Sequence, residues 1–242
     1  MKHWRELLRQ KLENTSFKHK LIKRKVIIRK SCYRTYAWHP KKWHMEDSPP
    51  LSWMLDHVSA NDVLLDIGAN RGYYALAVLA VQPRAQVVAF EPNPHVFEKL
   101  KKNIRLNSWS ERIIALNLAV GETERSLPLN IARSDSASSF DPKWATMWGR
   151  KIVAQEDVIV KPLDAILLEY KIANPNHIKI DTEGFELPIL LGAKNVLKNC
   201  HPHLYLEAHP RHENDRTIDD LCEFLSNYGY NIKQEGRFLF CI

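Results

Sequence analysis

Four side chains that can accept a proton follow two short apolar stretches of the sequence. Asp181 and Glu183 follow one predicted strand, and Glu207 and His209 follow the next. Neighbouring strands of a sheet lie about 4.8 Å apart, so side chains at the ends of two such strands can converge. A carboxylate or histidine within hydrogen-bond reach of a hydroxyl can serve as its general base. We therefore predict that these four residues are catalytic and activate a hydroxyl nucleophile.

Two other interpretations of the same four residues remain open. Asp181 and Glu183 can instead cap the helix that follows, while Glu207 bonds loop amides and His209 has no catalytic role. Carboxylates and imidazole are also ligands for Mg²⁺, Mn²⁺ or a transition ion, which would orient a diol-like acceptor and lower the pKa of its hydroxyl. No spacing among the four is diagnostic of a metal site, so the sequence favours a site without a metal.

A turn with two glycines follows the first predicted strand, residues 63–67. The turn, residues 68–72 (GANRG), lies where open α/β sheets bind ligands, and the amides at a helix start favour an anionic group. A dinucleotide fingerprint would need glycine where this chain has Asn70 and Tyr73. The turn therefore favours a ligand with a carboxylate and an ammonium group over a pyrophosphate, with Asp66 or Asn70 on the ammonium side.

Glu91 ends the second predicted strand and lies 23 residues after Gly68. A carboxylate in this position can accept hydrogen bonds from both hydroxyls of a ribose, as it does in nucleotide-binding folds. Each feature alone has a structural explanation, because a glycine turn is common in loops and Glu91 could cap the next helix. Together, at this separation, they predict a cofactor that contains adenosine.

The elements that position these residues alternate between strand and helix patterns from Leu51 onward. Such alternation predicts a doubly wound α/β domain with a mostly parallel sheet. The predicted strands are residues 63–67, 86–90, 112–120, 177–180, 204–207, 230–234 and 238–242, the last two as an antiparallel hairpin. Helices are predicted after an N-cap at Asn93, over residues 186–191, and from a capping box at residues 217–220. Residues 121–160 are predicted to be irregular, with a hairpin or lid.

Positive charge is concentrated at the N-terminus. Residues 1–44 hold 14 Lys and Arg and two acidic residues, a net charge of +12, whereas the other 198 residues hold 21 basic and 26 acidic residues. We predict a basic, partly helical extension over residues 1–45 and the catalytic domain over residues 46–242. The extension is either a folded element with surface charges or a surface for an acidic substrate, an anionic membrane or nucleic acid. Its aromatic residues, including Tyr33 and Trp38, would suit stacking on bases or sugars.

The composition argues against a membrane span and a disulfide framework. No stretch approaches the roughly 20 apolar residues that cross a bilayer, and no apolar segment of a secretory signal follows the basic N-terminus. The four cysteines are scattered without a CxxC pair, which indicates free thiols in a reducing compartment. We predict a cytoplasmic location and leave the oligomeric state open.

The sequence resembles the FkbM family of S-adenosylmethionine (SAM)-dependent methyltransferases. The matching stretches are residues 66–72 (DIGANRG), 90–93 (FEPN), 117–121 (NLAVG) and 178–186 (IKIDTEGFE), and the last, followed by residues 190–193 (LLGA), is the most specific. They span about residues 60–210 and leave out the basic extension. The resemblance implies a seven-stranded, Rossmann-like class I methyltransferase sheet, SAM as cofactor with S-adenosylhomocysteine as product, and often O-methylation of sugars or other natural products.

The resemblance also implies which residues hold the cofactor. The methionine end of SAM would lie against Asp66, Gly68, Asn70 and Gly72, the ribose against Glu91, and the adenine near Asn117 and Ala119. The expected partner is a small-molecule or sugar acceptor. One alternative is an N- or RNA methyltransferase that uses the basic extension, although residues 181–184 (DTEG) lack the Asn/Asp-Pro-Pro-aromatic motif of many amino-group methylating enzymes. Another is a non-catalytic binding module with a SAM fold.

Overall fold

The computed structural model describes residues 22–37, 49–210 and 215–242. The first half of these residues forms β1 (Ile22–Ile28), β2 (Ser31–Ala37), α1 (Pro49–His57), β3 (Val63–Ile67), α2 (Tyr73–Val81), β4 (Gln86–Phe90), α3 (Pro94–Arg105), β5 (Ile113–Leu116) and β6 (Ala119–Val120). The second half forms β7 (Arg125–Ala132), α4 (Pro142–Thr146), a short 3₁₀ turn (Met147–Gly149), β8 (Ile152–Lys161), α5 (Leu163–Glu169), β9 (His177–Ile180), α6 (Glu186–Leu191), α7 (Lys194–Cys200), β10 (His203–Glu207), α8 (Thr217–Ser226), β11 (Ile232–Glu235) and β12 (Phe238–Cys241).

Seven strands form the central sheet, in the order β5-β4-β3-β9-β10-β12-β11. The pairs β4–β5, β3–β4, β3–β9 and β9–β10 are parallel, and β12 is antiparallel to both of its neighbours. The chain builds outward from β3 in one direction and from β9 in the other, so the strand order reverses between them. Open sheets bind ligands beyond the carboxyl ends of the strands at such a reversal. The predicted doubly wound sheet and its C-terminal hairpin are confirmed.

Apolar residues cover both faces of the central strands, as parallel strands require. All five residues of β3 are buried. Leu65 and Ile178 pack on the face covered by α5 to α8, and Leu64 and Val87 pack on the face covered by α1 to α3. Continuous apolar runs therefore mark these strands in the sequence, which is why the predicted bounds of β3, β4 and β9 are confirmed.

The strand predicted over residues 112–120 is wrong, because the chain leaves the central sheet after Leu116. The side chain of Asn117 donates to the carbonyls of Glu91 and Pro92, at 2.8 and 3.0 Å, and so turns the chain away. The next strand, β6, joins a separate three-stranded sheet of order β6-β8-β7. In that sheet β7 and β8 form a hairpin, one of the two alternatives predicted within residues 121–160. The prediction that these residues are irregular is wrong, because the two strands are eight and ten residues long.

The sequence predicts the N-terminal caps of two helices; the cap of α3 agrees with the structure and the cap of α8 does not. Asn93 caps α3 as predicted, because its side chain accepts from the amides of His95 and Val96. The predicted capping box at α8 is wrong. Asp215 takes that role instead, since its carboxylate accepts a 2.7 Å hydrogen bond from the amide of Thr217.

Residues 22–37 of the basic extension form an antiparallel hairpin, so the prediction of helix is wrong for this part. The side chains alternate, with Ile28 and Tyr33 buried against the domain and Lys25 and Arg34 exposed. A repeat of two residues is the period of a strand. The predicted domain boundary near residue 45 and the rest of the extension lie outside the described residues.

Cys32, Cys200, Cys222 and Cys241 are all free. Within residues 22–37, 49–210 and 215–242, none of the helices has the length and apolar character needed to cross a membrane.

Asn107 joins the hairpin to the end of α3, and its removal should destabilise the protein. Its side chain accepts from the Arg34 amide at 2.6 Å and donates to the Arg34 carbonyl at 2.7 Å. Replacing Asn107 with Ala removes both bonds and should lower the free energy of unfolding by about 1 to 2 kcal/mol. Urea unfolding measures this change, with the exposed Ser110→Ala variant as the control. Equal stabilities of the two variants would show that the hairpin is held by other contacts.

Candidate active site

A cavity of about 570 Å³ lies at the carboxyl ends of β3, β4, β9 and β10, beneath the connection between β7 and β8. This volume lies in the usual range for small-molecule sites. Of the eleven residues predicted for the site, seven line the cavity: Gly68, Asn70, Glu91, Ala119, Asp181, Glu183 and Glu207. The other four, Asp66, Gly72, Asn117 and His209, do not line it and support the lining residues from behind.

Gly68 allows the loop after β3 to lie directly against the end of β9. Its φ is +76°, and a Cβ atom there would lie 2.0 Å from the carbonyl oxygen of Asp181. Only glycine fits such a position without strain. Gly72 has a different role, because a Cβ atom there would lie 2.5 Å from Leu100 Cδ1 of α3. The observed role of Gly72 is thus the close packing of α2 on α3, and its predicted contact with the cofactor stays a prediction.

Glu91 lies beside the glycine loop, as its predicted role requires. Its two carboxylate oxygens accept from the amides of Asn70 and Asn93, at 2.8 and 2.9 Å. Burial raises the pKa of Glu91 to about 7, although these amides and the charge of Lys179 act to lower it. Each oxygen keeps a lone pair that can accept another hydrogen bond. The buried carboxylate therefore fits a neutral diol such as a ribose.

Lys179 lines the cavity and was not among the predicted site residues. Its ammonium group lies 3.1 Å from Asp66 Oδ1, donates to the Gly68 carbonyl at 2.9 Å, and lies 3.7 Å from Asp181 Oδ2. Burial lowers the pKa of Lys179, but the charges of Asp66 and Asp181 outweigh it and raise that pKa. Asp66 is fully buried beneath the loop and does not line the cavity, and its predicted contact with the cofactor stays a prediction. A lysine within the otherwise apolar, buried strand β9 is the sequence signal that could have identified the Lys179–Asp66 ion pair.

The predicted acceptor residues converge as expected from their places at the ends of β9 and β10. His209 Nε2 lies 3.7 Å from Asp181 Oδ1 and 3.7 Å from Glu207 Oε1, and its Nδ1 lies 2.8 Å from Glu186 Oε1. Burial lowers the pKa of His209, but the hydrogen bond and charge of Glu186 outweigh it and raise that pKa to about 9. Arg237, from the β11–β12 turn, forms an ion pair with Glu207. Carboxylates and an imidazole thus form one connected group at the end of the cavity.

Glu183 links this group to the connection between β7 and β8. The indole nitrogen of Trp144 donates to its carboxylate, Ser139 Oγ donates to its carbonyl at 2.8 Å, and Arg150 lies 3.8 Å from its carboxylate. Burial raises the pKa of Glu183. The Trp144 ring also contacts the His209 ring edge-on, with centroids 5.3 Å apart. Neither Trp144 nor Arg150 belongs to a recognisable motif, so these contacts could not be predicted from the sequence.

The same connection is held at its other end by Asp135. Lys99 donates to this carboxylate at 2.8 Å and Arg71 forms an ion pair with it, while Asn70 donates to the Asp135 carbonyl at 2.9 Å. Burial raises the pKa of Asp135, but the hydrogen bonds from Lys99 and Arg71 outweigh it and hold that pKa below its usual value. The residues at both ends of the cavity are thus fastened to one covering segment.

Comparisons with known proteins agree on a methyltransferase. A family model described as the methyltransferase FkbM domain matches residues 66–232. The chain is 31% identical over 151 residues to the hexuronic acid methyltransferase AglP of Haloferax volcanii, a match that spans 60% of this chain and 56% of AglP. This chain therefore covers less than two thirds of that relative's length.

Solved structures show the same fold. Methyltransferase FkbM from Methylobacillus flagellatus KT has a TM-score of 0.56 at 20% identity and covers 77% of this chain and 44% of its own. Fibrillarin from Aeropyrum pernix, solved with natively bound SAM, has a TM-score of 0.51 at 12% identity and covers 94% of this chain and 85% of its own. The central sheet is thus that of Rossmann-like methyltransferases, and because the family model matches more than half of the sequence, the chain belongs to the FkbM family of methyltransferases.

Proposed function

We propose that this chain transfers the methyl group of SAM to a hydroxyl of a small molecule, sugar or glycoconjugate. The observation that carries the proposal is that residues suited to a cofactor and residues suited to an acceptor line the same cavity. Glu91 and the Gly68 loop lie at one end, and Asp181 and Glu207 lie at the other. The name of AglP, a hexuronic acid methyltransferase, supports a sugar as the acceptor.

The end of the cavity near Glu91 fits the adenosine and amino-acid parts of SAM. The Glu91 carboxylate can accept from both ribose hydroxyls, and Ala119 lies beside the space left for the adenine. Gly68 and Asn70 line the cavity where the amino-acid end would lie, and Lys179 fixes the Gly68 carbonyl. When bound, SAM supplies a methyl group activated by its sulfonium. The residues therefore hold one long ligand from β3 to β4.

The other end of the cavity suits an acceptor hydroxyl. Methyl transfer is an in-line displacement, so the main task of the protein is to hold the acceptor oxygen in line with the methyl group. The acceptor must also lose its proton, and a positioned base accelerates such transfers by about 10²- to 10⁴-fold. Asp181 and Glu207 both line the cavity and can accept this proton. His209 lies behind them and holds their arrangement.

Binding and product analysis test this proposal directly. In calorimetry with the full chain, SAM and S-adenosylhomocysteine should bind, and NAD should bind at least about tenfold more weakly because the loop lacks the pyrophosphate-binding glycines. Incubation with SAM and a panel of uronic acids, neutral sugars and polyols should yield a product heavier by one methyl group. Fragmentation of this product in the mass spectrometer should then show that the methyl group is on oxygen. A preference for NAD, or methyl transfer only to nitrogen, would overturn the proposal.

A further inference from the structure

We propose that Asp181, Glu207 and His209 form a site for one divalent transition-metal ion. The inference rests on the proposed function for its chemistry, because the site lies at the acceptor end of the cavity. The sequence alone favoured a site without a metal. The geometry points the other way, since one donor atom from each of the three residues lies within 4.8 Å of both others.

The distances between these donors leave room for one ion. Metal ions of this class bind oxygen and nitrogen at about 2.0 to 2.2 Å, so neighbouring ligands at right angles lie about 3 Å apart. His209 Nε2 lies 3.7 Å from an oxygen of Asp181 and 3.7 Å from an oxygen of Glu207. These separations exceed a hydrogen bond, and a movement of less than 1 Å would bring all three donors to an ion.

A second observation concerns the far side of the imidazole. The His209 side chain is only 2% exposed, and its Nδ1 lies 2.8 Å from the buried carboxylate of Glu186. Glu186 is itself held by the Gly184 amide at 3.0 Å and by Thr182 Oγ1 at 3.3 Å. A carboxylate on one ring nitrogen fixes the tautomer and directs the other nitrogen to a metal. Nε2 is thus aimed at the gap between the two carboxylates.

The nearby cations do not block the site. Lys179 approaches Asp181 Oδ2, whereas the other oxygen, Oδ1, faces His209. Arg237 pairs with Glu207 Oε1, the same oxygen that faces His209, so an ion would have to displace it; the Arg237 side chain is 50% exposed and can turn into solvent. The ion would displace the proton of His209, and two carboxylates with the imidazole that is then neutral would balance the charge of a divalent ion. Imidazole favours transition ions over Mg²⁺, so Mn²⁺ is a suitable probe.

A metal ion here would explain why the base candidates cluster around a histidine. An acceptor hydroxyl bound to the ion loses its proton more readily. The proton passes to a carboxylate of the cavity that does not bind the ion, such as Glu183. The acceptor oxygen then bonds to the methyl carbon, and the carbon–sulfur bond breaks with its electron pair kept by sulfur, which leaves S-adenosylhomocysteine.

Mn²⁺ binding to the full chain, without SAM or acceptor, tests the site. The signal of free aqueous Mn²⁺ in electron paramagnetic resonance should fall with a stoichiometry of one ion per chain. The variants Asp181→Asn and His209→Ala should each weaken binding by at least about tenfold. The variant His95→Ala, on the exposed side of α3, should bind as the original does. Because Asn preserves the size of Asp, the first variant keeps the test valid if the second fails to fold.

The outcomes separate the metal site from the methyltransferase activity. No Mn²⁺ bound at millimolar concentration, or equal binding by Asp181→Asn and the original, overturns the metal site. If methyl transfer also continues in full after chelation, the proposed function stands without a metal. If Mn²⁺ binds as described but no acceptor is methylated with any divalent ion, the metal site stands and the proposed function fails.

Discussion

Replacing Asp181 with Asn is expected to lower kcat for methyl transfer by about 10²- to 10⁴-fold, the usual contribution of a positioned acid or base. The change keeps the size of the side chain but removes the charge that lies 3.7 Å from both Lys179 and His209. An amide can neither accept the acceptor proton nor bind a cation well. The affinity for SAM should change little, because Lys179 keeps its contacts with Asp66 and the Gly68 carbonyl and so still fixes the glycine loop. Steady-state kinetics and calorimetry on the same samples measure the two effects.

Glu207→Gln should have the same signature, with kcat lowered and SAM binding kept. Glu223→Gln is the matched control, because Glu223 is exposed on α8, away from the cavity. A fall in kcat without a comparable rise in KM indicates an interaction made in the transition state. If both Asp181→Asn and Glu207→Gln retain turnover, the acceptor end has been assigned wrongly, and the carboxylates serve only to order the loops.

The sequence could predict that Gly68 and Glu91 lie together, because the information is local in sequence. A buried parallel strand must be apolar throughout, so the polar residues that follow it are easily recognised. Gly68 and Glu91 each follow such a strand, and the sheet brings their positions together whatever lies elsewhere in the chain. The same reasoning placed Asp181 and Glu207 on one edge, because β9 and β10 are neighbours.

The rest of the site depends on contacts between distant segments, which leave no periodic pattern. Trp144 reaches Glu183 across 39 residues, and Asp135 reaches Arg71 across 64. Both contacts come from the segment between β7 and β8, whose path is set by its two ends on the domain. Helix is wrongly predicted at residues 22–37 because apolar residues such as Ile22 and Val26 lie four positions apart, a spacing that also fits one face of a helix.

The two halves of the site are also joined by the backbone, which local patterns cannot reveal. Gly68 is so close to Asp181 that no side chain fits between them, and Lys179 contacts both the Gly68 carbonyl and the Asp181 carboxylate. A shift of the loop at residues 68–72 must therefore also move Asp181. This coupling favours a correct distance between acceptor oxygen and methyl group only when the cofactor loop is in place.

Replacing Glu91 with Gln is expected to weaken SAM binding by about 10- to 100-fold, the cost of losing hydrogen bonds to a charged acceptor. The carboxylate accepts from the Asn70 and Asn93 amides and offers its remaining lone pairs to the ribose. Gln has one acceptor oxygen, and its NH₂ group would face one of these N–H donors. Calorimetry with SAM measures the loss, and Glu98→Gln, on the exposed face of α3, is the control.

The pH dependence of SAM affinity gives an independent check on this role. Burial raises the pKa of Glu91 to about 7, so the free protein holds a proton there below that pH. Ribose hydroxyls need the ionised form as their acceptor, and bound SAM therefore favours loss of the proton. Affinity should fall by up to about tenfold for each unit that the pH drops below about 7, and this slope should be absent in Glu91→Gln. If Glu91→Gln kept both the original affinity and the original slope, Glu91 would not be part of the SAM site.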